Sequence, residues 1–174
     1  MTKTPDPNPT HGGKRKRPSG QSAARLLAVQ ALYQMTLGDQ NAKDVVGEFI
    51  QHRLDEDIEG LKHGSVNREL LTELVEGVAA QAETMDDMIA AVLDEEWTVE
   101  RLEILLRVLL RAATFELSER QEVPARVVIS EYVDLANAFY DGRETAFVNG
   151  LLDRLAHVLR AEEFGGTADL SSLS

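Results

Sequence analysis

The sequence predicts an all-α fold of six or seven helices, and three observations carry that prediction. Apolar residues recur at spacings of three and four through most of the chain. Leu, Ala, Glu and Val are abundant while aromatics make up only 5% of residues, a composition that favours helix. No segment alternates apolar and polar residues over strand length between hairpin turns, and no repeat of fixed period is present.

The elements follow in order. Residues 1–20 are mostly Thr, Pro, Asn, Gly, Ser and basic residues. Such a segment cannot offset its ordering entropy by burial, so it reads as a disordered basic arm. From Ser22, the residues Ala24, Leu27, Ala28, Ala31, Leu32 and Met35 mark a first helix that stops at Gly38-Asp39. A second helix is predicted over 44–58, with Asp44 as N-cap and Val45, Phe49, Ile50 and Leu54 on one face, before Gly60 and Gly64 break the pattern. The third runs from about Asn67 to Leu93, a sustained apolar stripe extending roughly 40 Å at about 1.5 Å per residue. Asp94–Trp97 interrupts it, and this is the weak division of the chain. Thr98 can cap a fourth helix over 99–118, apolar on most of its circumference and therefore central. Pro124 suits the first turn of a fifth helix ending near Phe139. Tyr140–Glu144 reads as a loop, and Thr145 opens a sixth helix to about Arg160. The helical body thus spans about 21–164, followed by a flexible small-residue tail over 165–174.

The net charge of −12 argues against nucleic-acid binding at first sight. The average hides a split. Residues 1–25 hold six basic residues and one acid, and the remaining chain holds 12 bases and 29 acids. A basic arm joined to an acidic body suggests an interaction tail. The run Lys14, Arg15, Lys16, Arg17 is followed by Pro-Ser-Gly-Gln rather than an apolar stretch, so it is no signal peptide. The absence of cysteine excludes disulfides, thiolate metal sites and cysteine nucleophiles, and fits a cytoplasmic address. No apolar run approaches the length of a membrane span.

Catalytic and metal signatures are missing: there is no phosphate-binding glycine loop, no H-E-x-x-H and no G-x-S-x-G. Glu48/His52 and Glu59/His63 have E-x-x-x-H spacing rather than the E-x-x-H of di-iron bundles, and Asp153/His157 reads as a surface pair. No catalytic residue, metal or cofactor is therefore expected.

Four features point to binding. Arg25 stands at the positive end of the first helix dipole, where a cation is unfavourable, and nothing nearby in sequence demands it. It is either an exposed arginine or a ligand for negative charge. Tyr33, two turns on, is either half-buried core or an interface residue. Asn149-Gly150 interrupts the sixth helix and suggests close packing or backbone approach. Phe147, with Arg143 just before it, is either core or a stacking surface and cation for single-stranded RNA.

Taken together, several of these segments resemble one family. Arg25 with Ala28–Tyr33 is similar to the opening helix of the bacterial transcription antitermination factors of the NusB family. Leu109–Leu117, Val123-Pro124 and Val128–Ala136 resemble its central and fifth-helix signature, and Phe147–Asp153 its final-helix motif. The resemblance covers about residues 22–160. It implies two packed helical subdomains, here about 21–94 and 98–160, and no enzymatic activity. It also implies binding of boxA-type single-stranded leader RNA together with NusE, a small-subunit ribosomal protein, within an RNA polymerase antitermination complex that sustains rRNA transcription. By position, Arg25, the basic segment before it, the loop at Gly142–Glu144 with Arg143, and Phe147 would face RNA. Tyr33, Leu106 and Arg107 would face NusE. One departure stands out: the family often has arginines immediately before the position of Arg25, whereas here Gln21–Ala24 fill that stretch and the bases stand upstream at Lys14–Arg17.

Two alternatives remain open at this level. One is a helical interaction module or homodimer without RNA specificity. The other is the NusB-like domain of an RNA cytosine methyltransferase, which the absence of cysteine and the end of the chain at Ser174 disfavour.

Overall fold

The computed structural model describes residues 19–53 and 66–165; the run Lys14–Arg17, the predicted end of the second helix at 54–58, Gly60, Gly64 and the tail beyond Gly165 lie outside these. Six α-helices occupy the described residues: α1 Gly20–Gly38, α2 Ala42–Glu48, α3 Arg68–Val92, α4 Ile104–Glu119, α5 Ala125–Phe139 and α6 Gly142–Leu159. Short turns of tighter or wider helix follow α2 (Phe49–Arg53), precede α4 (Val99–Arg101) and follow α6 (Ala161–Phe164). The all-α expectation holds, with no strand among the described residues.

Capping chemistry sets the ends. Ser19 accepts from the Ser22 amide at the start of α1, and Asn67 accepts from the Leu70 amide at the start of α3. α1 stops at Asp39, whose φ of 52° places it in the left-handed region that Asp tolerates better than most residues. The cap of α2 is Asn41, not Asp44. Asn41 accepts from the Asp44 amide at 2.9 Å and donates to its carboxylate at 2.8 Å, so Asp44 serves as the third residue of the first turn.

The predicted fourth helix divides in two. Val99–Arg101 is a 3₁₀ turn, Leu102 and Glu103 are extended, and α4 begins at Ile104. The Arg107 guanidinium explains the break. It donates to the carbonyls of Val99, Glu100 and Leu102 at 2.8–3.1 Å, groups that a continuous helix would have used itself. α6 starts at Gly142, so most of the predicted 140–144 loop is its first turn.

α4 is the axis of the molecule, packing against α1, α3, α5 and α6. Ten of its residues are buried. One apolar core draws on all six helices. The α3–α4 crossing is close: a Cβ on Gly77 would stand 2.3 Å from Phe115 Cζ. Gly77 is therefore the glycine required by packing. Gly150, expected to fill that role, is exposed, and a Cβ there would meet nothing within 4 Å.

Two buried arginines tie the helix ends together. Arg160, 3% exposed, donates to the carbonyls of Glu116, Leu117, Arg120 and Val123. It thereby satisfies the C-terminal carbonyls of α4, where a cation also suits the dipole. It also pairs with Glu163, which accepts from the Ala125 amide at 2.8 Å and supplies the side-chain cap that Pro124 cannot. That amide bond, reinforced by Arg160, holds the Glu163 carboxyl below its ordinary pKa. Arg25 is the second buried arginine.

Candidate functional site

Arg25 is not available to a ligand. Its side chain is 2% exposed and donates to both oxygens of Glu116 at 2.8 and 2.9 Å, with Glu116 fully buried on α4. Glu131 of α5 approaches at 3.8 Å and is itself held by the Ser22 hydroxyl. The negative charge that the sequence position called for is an internal carboxylate reached across the core. Burial opposes the charge on Arg25, but the hydrogen bonds and charge of Glu116 outweigh it and hold the pKa above its ordinary value. The Tyr132 hydroxyl is fully buried against the same cluster and meets hydrogen-bond geometry to no described group. Burial and the neighbouring Glu116 push its pKa well up. Sequence spacing could not reveal this cluster, because Glu116 is 91 residues from Arg25 and sits on the apolar α4.

Arg107, expected to face a partner, is partly exposed and clamps the Val99–Leu102 turn through its backbone carbonyls. Arg111 is similarly engaged, donating to both oxygens of Asp86 on α3 at 2.7 Å.

Three of the expected site residues do meet. Leu106, Arg143 and Phe147 line a surface notch of about 270 Å³ together with Trp97, Arg101, Leu102, Glu103 and Glu144. Its walls are mainly apolar. Trp97 is half-exposed and tilts at 50° to Phe147, with ring centroids 6.4 Å apart. Phe147 is thus partly buried, with one side in the core and one in the notch. The Arg107 clamp presents Leu102, and α4 presents Leu106. Tyr33 lies on the same side of the molecule: Tyr140 has Tyr33, Glu103 and Glu144 as electrostatic neighbours. Burial and those two carboxylates push the Tyr140 phenol well above its usual pKa. Trp97, Arg101, Leu102 and Glu103 are the notch residues that sequence reading did not single out as site residues. The signal available was a large aromatic at the chain's main interruption.

Among the remaining titratable groups, His157 is exposed, contacts the Asp153 carbonyl at 2.8 Å and stacks on Phe164 at 4.1 Å, as befits the surface pair expected. Among the described residues no three His, Cys, Asp or Glu side chains are grouped to hold a metal. No described helix is long and apolar enough to cross a membrane.

A six-helix scaffold that uses its buried ions to join its own helices, and opens an apolar aromatic notch to solvent, has the make-up of a helical binding protein. The family follows from comparison. The NusB family model matches residues 22–157, and the chain belongs to the NusB family. It is 42% identical over 164 residues to the transcription antitermination protein NusB of Rhodopseudomonas palustris, covering 94% of this chain and 96% of that protein. The corresponding protein of Sphingopyxis alaskensis is 44% identical over 145 residues, covering 83% and 97%. Among solved structures, T. maritima NusB superposes with a TM-score of 0.68 at 27% identity, covering 84% of this chain and 97% of that one. The fold is also that of NusB in a crystal structure of the antitermination factors NusB and NusE with double-stranded RNA, with a TM-score of 0.67 at 23% identity, covering 80% and 97%.

Proposed function

We propose that this chain is a non-catalytic, cytoplasmic transcription antitermination factor that binds boxA-type leader RNA together with NusE and supports processive rRNA transcription within the RNA polymerase antitermination complex. The near full-length match to a transcription antitermination protein carries the reading. Arg25 drops out of the RNA surface because Glu116 neutralises it inside the fold. The RNA contacts fall instead to the arm cations Lys14, Arg15, Lys16 and Arg17, with Arg143 exposed at the start of α6. Phosphate contacts of this kind position RNA without reading its sequence, so base selectivity must come from elsewhere on the joint surface with NusE. The body outside residues 1–25 carries 12 bases against 29 acids, which disfavours indiscriminate RNA binding and suits a basic partner such as a ribosomal protein.

A gel shift of boxA RNA against a scrambled RNA, with and without NusE, tests the reading. Selective binding of boxA RNA that NusE strengthens is expected. Equal binding of both RNAs with no effect of NusE would refute it, and would favour the interaction module or homodimer, which light scattering would then detect.

A further inference from the structure

We propose that the segment Asp169–Leu173 of this chain folds back and seats Leu170 and Leu173 in the groove between α5 and α6, covering that face of the protein from within. The proposal is independent of the antitermination reading, because the occupant is the chain itself.

The groove follows one side of α5 from Arg126 to Asp134 and one side of α6 from Asn149 to His157. Eight residues of helix at about 1.5 Å each make it about 12 Å long. Its volume is about 570 Å³, room for several side chains. At Arg126 and Phe164 it adjoins a second hollow of about 410 Å³ beside Pro124 and Glu163. Ile129 and Val133 line it and are only partly buried, packed on the core yet still open to water. Positions four apart on a helix lie about 5–6 Å from each other, so these two make a pair of adjacent apolar patches. Phe164 closes one end, its ring stacked on His157 with centroids 4.1 Å apart.

Charge does not choose the occupant. Arg126 and His157 line the groove together with Asp134 and Asp153, two groups of each kind. Neither a phosphate chain nor a strongly basic surface is favoured by such a lining.

Connectivity does choose it. The last turn of the described chain, Ala161–Phe164, ends at Gly165, whose φ of 73° lies in the left-handed region and whose amide donates to the Glu162 carbonyl at 3.3 Å. A left-handed glycine at a helix end turns the chain away from the helix axis. Here it does so next to Phe164, a wall of the groove. Residues 166–174 follow, and their large apolar side chains are Leu170 and Leu173 alone. Leu170 stands five residues beyond Gly165, a reach of at most about 17 Å, longer than the groove. In a single helical turn Leu170 and Leu173 share a face at about 5–6 Å, the separation of Ile129 and Val133. Asp169, the segment's one charged side chain, then meets Arg126 at the Phe164 end. Arg126 is exposed and has no hydrogen-bond or ion-pair partner among the described residues. A short tether supplies an effective concentration on the order of millimolar, so contacts too weak to hold a separate molecule suffice. A second copy lacks that advantage and brings its own acidic body against this one, 12 bases against 29 acids outside residues 1–25. The tail that composition alone reads as free is thus a cover for the α5–α6 face.

The chain has no cysteine, so Ser174→Cys gives a single attachment point for a nitroxide on the full chain. Nuclear magnetic resonance is recorded on this protein with and without Leu170→Ser/Leu173→Ser, and circular dichroism verifies that both are folded. The expected result is paramagnetic broadening of the Asp134 and Asn149 amides, at the groove end remote from Phe164, that is lost in the double serine variant. Without the label, the methyl resonances of Ile129 and Val133 should shift between the two sequences. Methyl shifts that are the same in both, or broadening that survives the serine substitutions, would refute the proposal. A mixture of labelled nitrogen-14 chain and unlabelled nitrogen-15 chain checks for a second copy. Broadening of Asp134 and Asn149 in that mixture would place another molecule's tail in the groove and also overturn the proposal. Neither outcome bears on RNA or NusE binding, so the functional reading stands or falls by its own gel shift.

Discussion

Replacing Arg25 with methionine separates a structural arginine from an RNA-binding one. The guanidinium donates two hydrogen bonds to Glu116, at 2.8 and 2.9 Å, with side-chain exposures of 2% and 0%. Met preserves much of the volume and removes the charge. Glu116 would then keep only Arg120, at 3.8 Å, as a nearby cation. Leaving a carboxylate buried without its partner costs about 3–5 kcal/mol. For a chain of this size, about 2–4 °C of melting temperature per kcal/mol gives a drop of roughly 6–20 °C. Urea unfolding followed by circular dichroism measures the loss. The double variant Arg25→Met/Glu116→Leu should recover most of it, since replacing both partners of a buried pair by apolar residues is often neutral or stabilising. An Arg25→Met protein within about 0.5 kcal/mol of wild type, a change typical of an ordinary surface substitution, but impaired in RNA binding would refute the reasoning. It would return Arg25 to the RNA surface.

The two helix-interior glycines should respond with opposite signs in the same unfolding assay. Gly77→Ala is expected to destabilise by about 1–3 kcal/mol because the new methyl overlaps the buried Phe115 ring, outweighing the gain in helix propensity. Gly150→Ala, which meets no neighbour, should stabilise by about 0.5–1 kcal/mol. Glu163 should leave a signature in acid. Its folded pKa lies below the ordinary 4.5, so its contribution is complete above that pH and is lost as pH falls through the lower folded value. Glu163→Gln should remove that part of the acid dependence, and stability-against-pH curves that remain parallel throughout would contradict it.

The helical course of the chain was legible because burial imposes its period on the sequence. α1, α3 and α5 fall within a few residues of their expected positions, and the centrality of α4 followed from its nearly all-apolar circumference. What escaped notice was chemistry acting at long range. The break before α4 is a nearer case: Arg107 takes carbonyls five to eight residues upstream, a pairing that the apolar period does not encode. Whether Arg25 is an exposed cation or meets a negative charge is not readable locally, because its partner Glu116 lies 91 residues away. Gly150 stands out by its Asn-Gly context yet is exposed, whereas Gly77, within an otherwise regular stripe, marks the tight crossing. The grouping of Leu106, Arg143 and Phe147 in one notch was also hidden, because it depends on how α6 folds back over the start of α4.

The central claim is that a short cationic arm on an acidic helical body holds RNA beside a protein partner. The most direct test is the salt dependence of boxA RNA binding in the presence of NusE, compared between the full chain and one lacking residues 1–18. Each phosphate neutralised on a single strand contributes about −0.7 to the log–log slope, so the four cations of Lys14–Arg17 predict slopes that differ by about 3, with the shortened chain the flatter. Equal slopes and equal affinities for the two chains would contradict the account.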